Sequence, residues 1–194
     1  MTKTPPAQSN DLLCRAEAGQ LLVIDLQEKL GAAMPEKVIN RVIKNTILLL
    51  NAAARLGVPV TLTAQYPRGL GTLLPAISAA VPPQSRHLEK TCFSCLGAAG
   101  FEAVVHDDDR PQIIVAGMEA HVCVLQTALD LHKMGRQVFV VEDAICSRRL
   151  ENYESAVNRL RHAGVTVTNS ESVVFEWLRD AQHVEFKTLS ALLR

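Results

Sequence analysis

From residue 20 onward, short runs of aliphatic and β-branched residues alternate with longer stretches of helical period, the pattern of a parallel sheet covered by helices. Residues 20–25, Gln-Leu-Leu-Val-Ile-Asp, are apolar up to an acidic end, as expected of a strand buried on both faces. Over 36–56, Val38, Val42, Ile43, Leu49 and Ala53 fall near one stripe, and Gly57 stands where that helix would terminate. A second strand is predicted at 58–63 and a loop punctuated by Pro67, Gly69 and Gly71. A short helix over 73–80 would stop at Pro82-Pro83, with a weak third strand at 86–90 and a further helix within 93–105. The clearest βαβ unit runs from a strand at 112–117 through a helix at 121–134 and Gly135 to a strand at 137–141. A helix at 151–162, a sixth strand at 165–168 and one or two terminal helices over 172–193 complete the chain.

The fold class this predicts is α/β: a three-layer doubly wound sheet of about six parallel strands with helices on both faces. In such sheets the ligand crevice lies at the carboxyl ends of the strands. A length of 194 residues suits one compact domain, assigned to 18–194, after a loose N-terminal tail at 1–17. The tail lacks the apolar stretch of a signal peptide.

Charge narrows the choice of partner. Twenty Lys plus Arg balance twenty Asp plus Glu, and the one Trp, two Tyr and five Phe are not interleaved with basic residues. No excess positive field is available for phosphate backbones or anionic lipid, so neither nucleic acid nor a membrane is expected as partner. No apolar run approaches the length that crosses a bilayer. Five cysteines, an odd number in a chain too long to need staples, point to free thiols and a cytoplasmic setting. Asp25-Leu-Gln-Glu-Lys-Leu-Gly31 after the first strand contains no glycine-rich phosphate loop, so no nucleotide cofactor is expected. A small-molecule substrate remains.

Three residues fall on the rim where that substrate would bind: Asp25 after the first strand, Lys90 ending the third and Cys123 just past the fourth. A thiol needs a base to take its proton and a cation to hold the thiolate, and a helix start helps further, so the three types are complementary. The turn Gly117-Met-Glu-Ala-His-Val-Cys123 adds backbone N–H groups suited to a developing oxyanion. Cys92-Phe-Ser-Cys95 is formally a C-x-x-C. With no second such pair and no His pair, it reads as two small core residues beside the pocket rather than a zinc or redox motif.

Leu-Leu-Val-Ile-Asp25-Leu-Gln27, Lys90-Thr-Cys-Phe93-Ser94, Gly117-Met-Glu-Ala-His-Val-Cys123-Val, Thr127-Ala128 and Val141-Glu-Asp143-Ala144 together resemble the isochorismatase-like cysteine hydrolases over about residues 18–175. The resemblance implies a catalytic triad of Asp25 as general base, Lys90 as thiolate-stabilising cation and Cys123 as nucleophile. It also implies a cis peptide at Met118–Glu119, an oxyanion hole from the N–H groups of Glu119 and Cys123, and a homo-oligomer, dimer or larger. The reaction implied is hydrolysis of a small amide, ureido or related C–N bond through a thioester. Metal-binding members carry an Asp-x-His pair after the second strand. Here that stretch reads Thr63-Ala-Gln-Tyr-Pro-Arg, so no metal is expected and the chain resembles the subgroup of isochorismatase domain-containing proteins. Gln27, Gln65, Tyr66, Phe93 and His121 are candidate pocket walls. The competing reading is a catalytically silent member that serves as an oligomeric scaffold or a thiol-redox-sensitive binding protein.

Overall fold

A computed structural model describes residues 12–107 and 109–193. Its strands are β1 (Gly19–Ile24), β2 (Val60–Gln65), β3 (Arg86–Lys90), β4 (Gln112–Met118), β5 (Gln137–Cys146) and β6 (Thr166–Thr168). They form one parallel sheet in the order β3-β2-β1-β4-β5-β6. The helices are α1 (Glu28–Ala32), α2 (Glu36–Leu56), α3 (Pro67–Leu70), α4 (Pro75–Ala80), α5 (Glu102–Val105), α6 (Leu125–Lys133), α7 (Leu150–His162), α8 (Ser170–Leu178) and α9 (Phe186–Ala191). This is the expected doubly wound α/β architecture. The order reverses between β1 and β4, and the crevice of such a sheet opens at the carboxyl ends of those two strands.

Alternation along the strands sorts side chains into two cores. Leu21 and Val23 of β1 pack with Ile39, Val42 and Leu49 of α2, Ile77 of α4 and Trp177 of α8. Leu22 and Ile24 point the other way, onto Val104 of α5, Leu131 of α6 and Leu160 of α7. Burial on both faces explains why β1 reads as an unbroken apolar run. Helix α2 keeps the predicted bounds and ends at Gly57 (φ 69°), whose N–H donates to the Ala53 carbonyl in a left-handed cap. Ile39, Val42, Thr46, Leu49 and Ala53 form its buried stripe, widened by Leu48, Leu50 and Ala52 toward the C-terminus, and no helix among the described residues is long and apolar enough to cross a membrane.

Several boundaries differ from the sequence expectation. The helix expected within 93–105 reduces to a 3-10 turn at Cys95–Gly97 and the four-residue α5, because Gly97 and Gly100 interrupt the segment. The helix expected from 121 begins with one turn of π-helix, Ala120–Val124, in which the Leu125 N–H reaches back to the Ala120 carbonyl. Strand β5 runs on to Cys146, past a register shift against β4. Residues 1–11 of the expected tail lie outside the described residues. In the remainder Cys14 is buried, its N–H donates to Glu176 (2.7 Å), and the Arg15 N–H donates to Gln112 (2.7 Å), so the chain is tied down before residue 18.

Strands β1 and β4 approach most closely where the site begins. Gly117 has φ 122°, and a Cβ there would lie 2.0 Å from the Ile24 carbonyl oxygen. Both the backbone conformation and the contact demand glycine. Gly117→Ala is expected to destabilise the fold by about 3 kcal/mol or more, read as a lowered urea midpoint; an unchanged midpoint would show that the two strands can separate freely.

Candidate active site

Asp25 follows β1 in the left-handed region (φ 52°), a conformation few non-glycine residues adopt. The turn aims its carboxyl group along the face of the sheet that carries Leu22 and Ile24. Register does the rest. Ile24 pairs with Thr63, and Gln65 pairs with Lys90, so Thr63, Gln65 and Lys90 occupy the same face. The Thr63 hydroxyl donates to Asp25 Oδ1 (2.7 Å) and the Lys90 ammonium to Oδ2 (2.6 Å), which fixes both carboxylate oxygens. The Asp25 and Lys90 side chains are each 0% exposed.

Lys90 is held from several sides. Besides Asp25, its Nζ faces Gln65 Oε1 (2.6 Å) and the carbonyls of Phe93 (3.1 Å) and Cys92 (3.4 Å). Four oxygens therefore surround three ammonium hydrogens. Burial opposes the charge on Lys90, but the Asp25 carboxylate outweighs it, and the ammonium holds its proton more tightly than an ordinary lysine.

Gln65 is itself clamped. Its Nε2 donates to the Thr91 carbonyl (2.7 Å), while Gln27 bonds both its main-chain N–H (2.7 Å) and its carbonyl (3.0 Å). Gln27 also donates to Gly71 (2.8 Å) and is fully buried. The two glutamines, expected as pocket walls, are occupied as braces: Gln65 positions Lys90 and Gln27 positions Gln65. Among the described residues no group of three His, Cys, Asp or Glu is placed to hold a metal ion.

Cys123, 5% exposed, lies in the π-turn after β4, close enough to Asp25 and Lys90 that both charges act on its thiol. Burial pushes its thiol up to about 12; Asp25 adds to the shift and Lys90 opposes it. Burial and Asp25 thus disfavour the thiolate that Lys90 favours, beside an ion pair sealed from water. Upstream, the Met118–Glu119 peptide is cis. The N–H groups of Val122 (3.0 Å) and Val124 (3.3 Å) both donate to the Glu119 carbonyl, and that of Cys123 between them does not.

The remaining candidates divide between rim and frame. Tyr66 and Phe93 are each 54% exposed. Tyr66 has φ 36°, its N–H donates to the Lys90 carbonyl (2.7 Å), and it lines a cleft of about 400 Å3 with Arg68, Glu89, Lys90 and Thr91. His121 spends both ring nitrogens, on Ser147 Oγ (2.9 Å) and Asn152 Nδ2 (3.3 Å), and so ties the Cys123 turn to the start of α7. The Glu119 side chain does the same by accepting from the Arg148 N–H (3.0 Å) and Nε (3.1 Å). A larger cavity of about 830 Å3, lined by residues of α2 and α8 such as Lys44 and Phe175, holds none of these residues.

One contributor, Thr63, escaped the sequence reading, and Cys95 is the core residue beside the pocket that the sequence suggested. Thr63 orients Asp25, and Cys95, fully buried, points its thiol at Thr63 Oγ1 (3.9 Å) while its N–H donates to Thr127 (3.0 Å). The signal was present in β2. A strand buried on both faces should read apolar, yet Val-Thr-Leu-Thr-Ala-Gln places a polar residue at every second position, marking one buried face that must find hydrogen-bond partners.

The isochorismatase domain model matches residues 20–172. Isochorismatase domain-containing protein 2 of Bos taurus is 36% identical over 181 residues, covering 91% of this chain and 83% of its own. The Danio rerio protein of the same name is 35% identical over 174 residues, covering 89% and 85%. Among solved structures, the MAR1 ribonuclease of Caenorhabditis elegans superposes with TM-score 0.87 at 31% identity over 93% of this chain and 92% of its own. YcaC of Escherichia coli, described as an octameric hydrolase of unknown specificity, shares the fold with TM-score 0.81 at 23% identity over 97% of each chain. An α/β fold with chemistry gathered at the strand ends thus has a family: the chain belongs to the isochorismatase family. That membership supports a hydrolase.

Burial leaves a signature in stability. The thiols of Cys95 (about 11), Cys123 (about 12) and Cys146 (about 12) are raised mainly by burial, and Lys90 is raised as well. Each group keeps its proton in the fold after the unfolded chain has lost it, so stability is retained below about pH 9 and falls as pH rises beyond it. The expected slope is at most about 1.4 kcal/mol per pH unit for each thiol. Urea midpoints measured from about pH 8 to about pH 10.5 should fall, and less steeply in Cys95→Ala; a flat profile would contradict the protonated thiols.

Proposed function

We propose that this protein hydrolyses the C–N bond of a small amide or ureido compound, with Cys123 as nucleophile, Asp25 as general base and acid, and Lys90 as the cation that stabilises the thiolate. One observation carries the reading: a thiol, a carboxylate and an ammonium, brought from the ends of three different strands, meet in a site closed to water.

The Cys123 S–H proton passes to Asp25 as the sulfur bonds to the substrate carbonyl carbon. Substrate binding makes this transfer possible despite the raised thiol, because the negative charge moves on to the carbonyl oxygen. The N–H groups of Glu119 and Cys123 receive that oxyanion. Breaking the C–N bond sends the Asp25 proton to the departing nitrogen and leaves a thioester. Water then gives a proton to Asp25 and adds to the thioester carbonyl. The C–S bond breaks, the proton returns to the sulfur, and a carboxylic acid leaves.

No metal is required in this scheme. Where an ion would need oxygen or imidazole ligands, Gln65 offers an amide already committed to Lys90 and Thr91. A polynucleotide substrate is disfavoured, even though one neighbour is called a ribonuclease. A formal net charge of 0 supplies no excess field for a phosphate backbone, and Lys90 has no donor to spare. The free cysteines support a cytoplasmic setting, and the octameric neighbour supports a homo-oligomer.

The test is ammonia release from a panel of small amides and ureido compounds, with intact-mass detection of an acyl group on Cys123 and single-stranded RNA as a parallel substrate. Cys123→Ala should abolish turnover and Asp25→Asn should lower it about 10²- to 10⁴-fold. Turnover that survives Cys123→Ala, or cleavage of RNA dependent on the same residues, would overturn the assignment.

A further inference from the structure

The charges at the site balance completely, and that balance restricts the substrate. Asp25 and Lys90 are the charged groups that act on the Cys123 thiol. They neutralise each other at 2.6 Å with side chains sealed from water. The ammonium has nothing left to offer a further anion, because Asp25, Gln65 and the Phe93 carbonyl occupy its hydrogens. Glu119 is the remaining buried acidic or basic residue among the described residues, and its carboxyl group is bound by Arg148. The cleft beside Lys90 carries Arg68 and Glu89 on its walls, one charge of each sign. A charged group brought next to the sulfur would be stripped of water with no unspent counter-charge to meet it.

Resting on the hydrolase reading above, we infer that the acyl group bound at Cys123 is uncharged and compact: the substrate is a small neutral amide, not an amide bearing a carboxylate or ammonium close to the scissile bond. Tyr66 and Phe93 fit that class. Both present large exposed aromatic surface, and their main chains bond Lys90 directly, Tyr66 through its N–H and Phe93 through its carbonyl. Exposed aromatic surface bonded to the residue that flanks the thiol suits contact with an uncharged group better than with an ion.

Iodoacetamide and iodoacetate form a pair of reagents of the same size, one neutral and one anionic, and both react with a thiol at the position an acyl carbon would occupy. Their rates at Cys123 are read by peptide mass spectrometry in the folded protein at fixed pH. The same peptide in urea-unfolded protein gives the intrinsic ratio. Folding should raise the iodoacetamide-to-iodoacetate ratio at Cys123 by at least about 30-fold, the penalty for desolvating an unpaired carboxylate. An unchanged ratio, or one that favours iodoacetate, would overturn the neutral-substrate inference while leaving Cys123 as a reactive nucleophile. If Cys123 in the folded protein reacts with neither reagent, the same ratio is read from its acylation by a neutral amide and by the carboxylate-bearing analogue of that amide; acylation by neither would sink the nucleophile assignment and this inference with it.

Discussion

A charge pair that never touches water governs this structure. Removing a carboxylate and an ammonium from solvent costs several kcal/mol each, recovered only when geometry is close and the remaining hydrogen-bonding capacity is filled. The Asp25–Lys90 pair meets both conditions. Thr63 takes the second carboxylate oxygen, and Gln65 and the Phe93 carbonyl take the other ammonium hydrogens. Those partners dictate sequence in turn: a polar alternation in β2, a lysine at the last position of β3, and a left-handed residue where β1 ends.

The pair also sets the state of the thiol. A buried sulfur next to a carboxylate resists ionisation, and the single ammonium, already shared, does not reverse the balance. Under the proposed mechanism the thiol gives up its proton only as a carbonyl oxygen takes the charge. The frame around it is stiff. His121 and Glu119 tie the Cys123 turn to residues 147–152, and Gln27 ties the end of β2 to the chain at Gly71. Fixed dipoles of this kind need no reorganisation when charge develops.

Much of this was legible along the chain. The unbroken apolar run of β1, the bounds of α2 and its glycine cap, and the placement of Asp25, Lys90 and Cys123 at strand ends all follow from local periodicity and the rule that crevices open at carboxyl ends. Other features were not. Residues 93–105 contain helix-forming stretches, yet Gly97 and Gly100 and the bond from Cys95 to Thr127 break the segment into a 3-10 turn and one short helix. The π-turn at Ala120–Val124 depends on bonds to Glu119 and Ala120 that no periodicity announces. Gln27 was among the candidate pocket walls, but Gln65, 38 residues further on, absorbs its amide.

The sequence by itself determined the doubly wound class, its strands and longer helices, the family, and which residue types stand at the strand ends. These are properties of spacing, and spacing is written in one dimension. Tertiary structure decided the charge state. Whether Cys123 rests as thiol or thiolate, whether Lys90 has a donor to spare, and whether a glutamine touches substrate or braces another glutamine depend on burial and on partners supplied by β1, β2, β3 and the turn after β4. The free energy of a charge is set by the water it has lost and the neighbours it has gained, and neither exists until the sheet assembles.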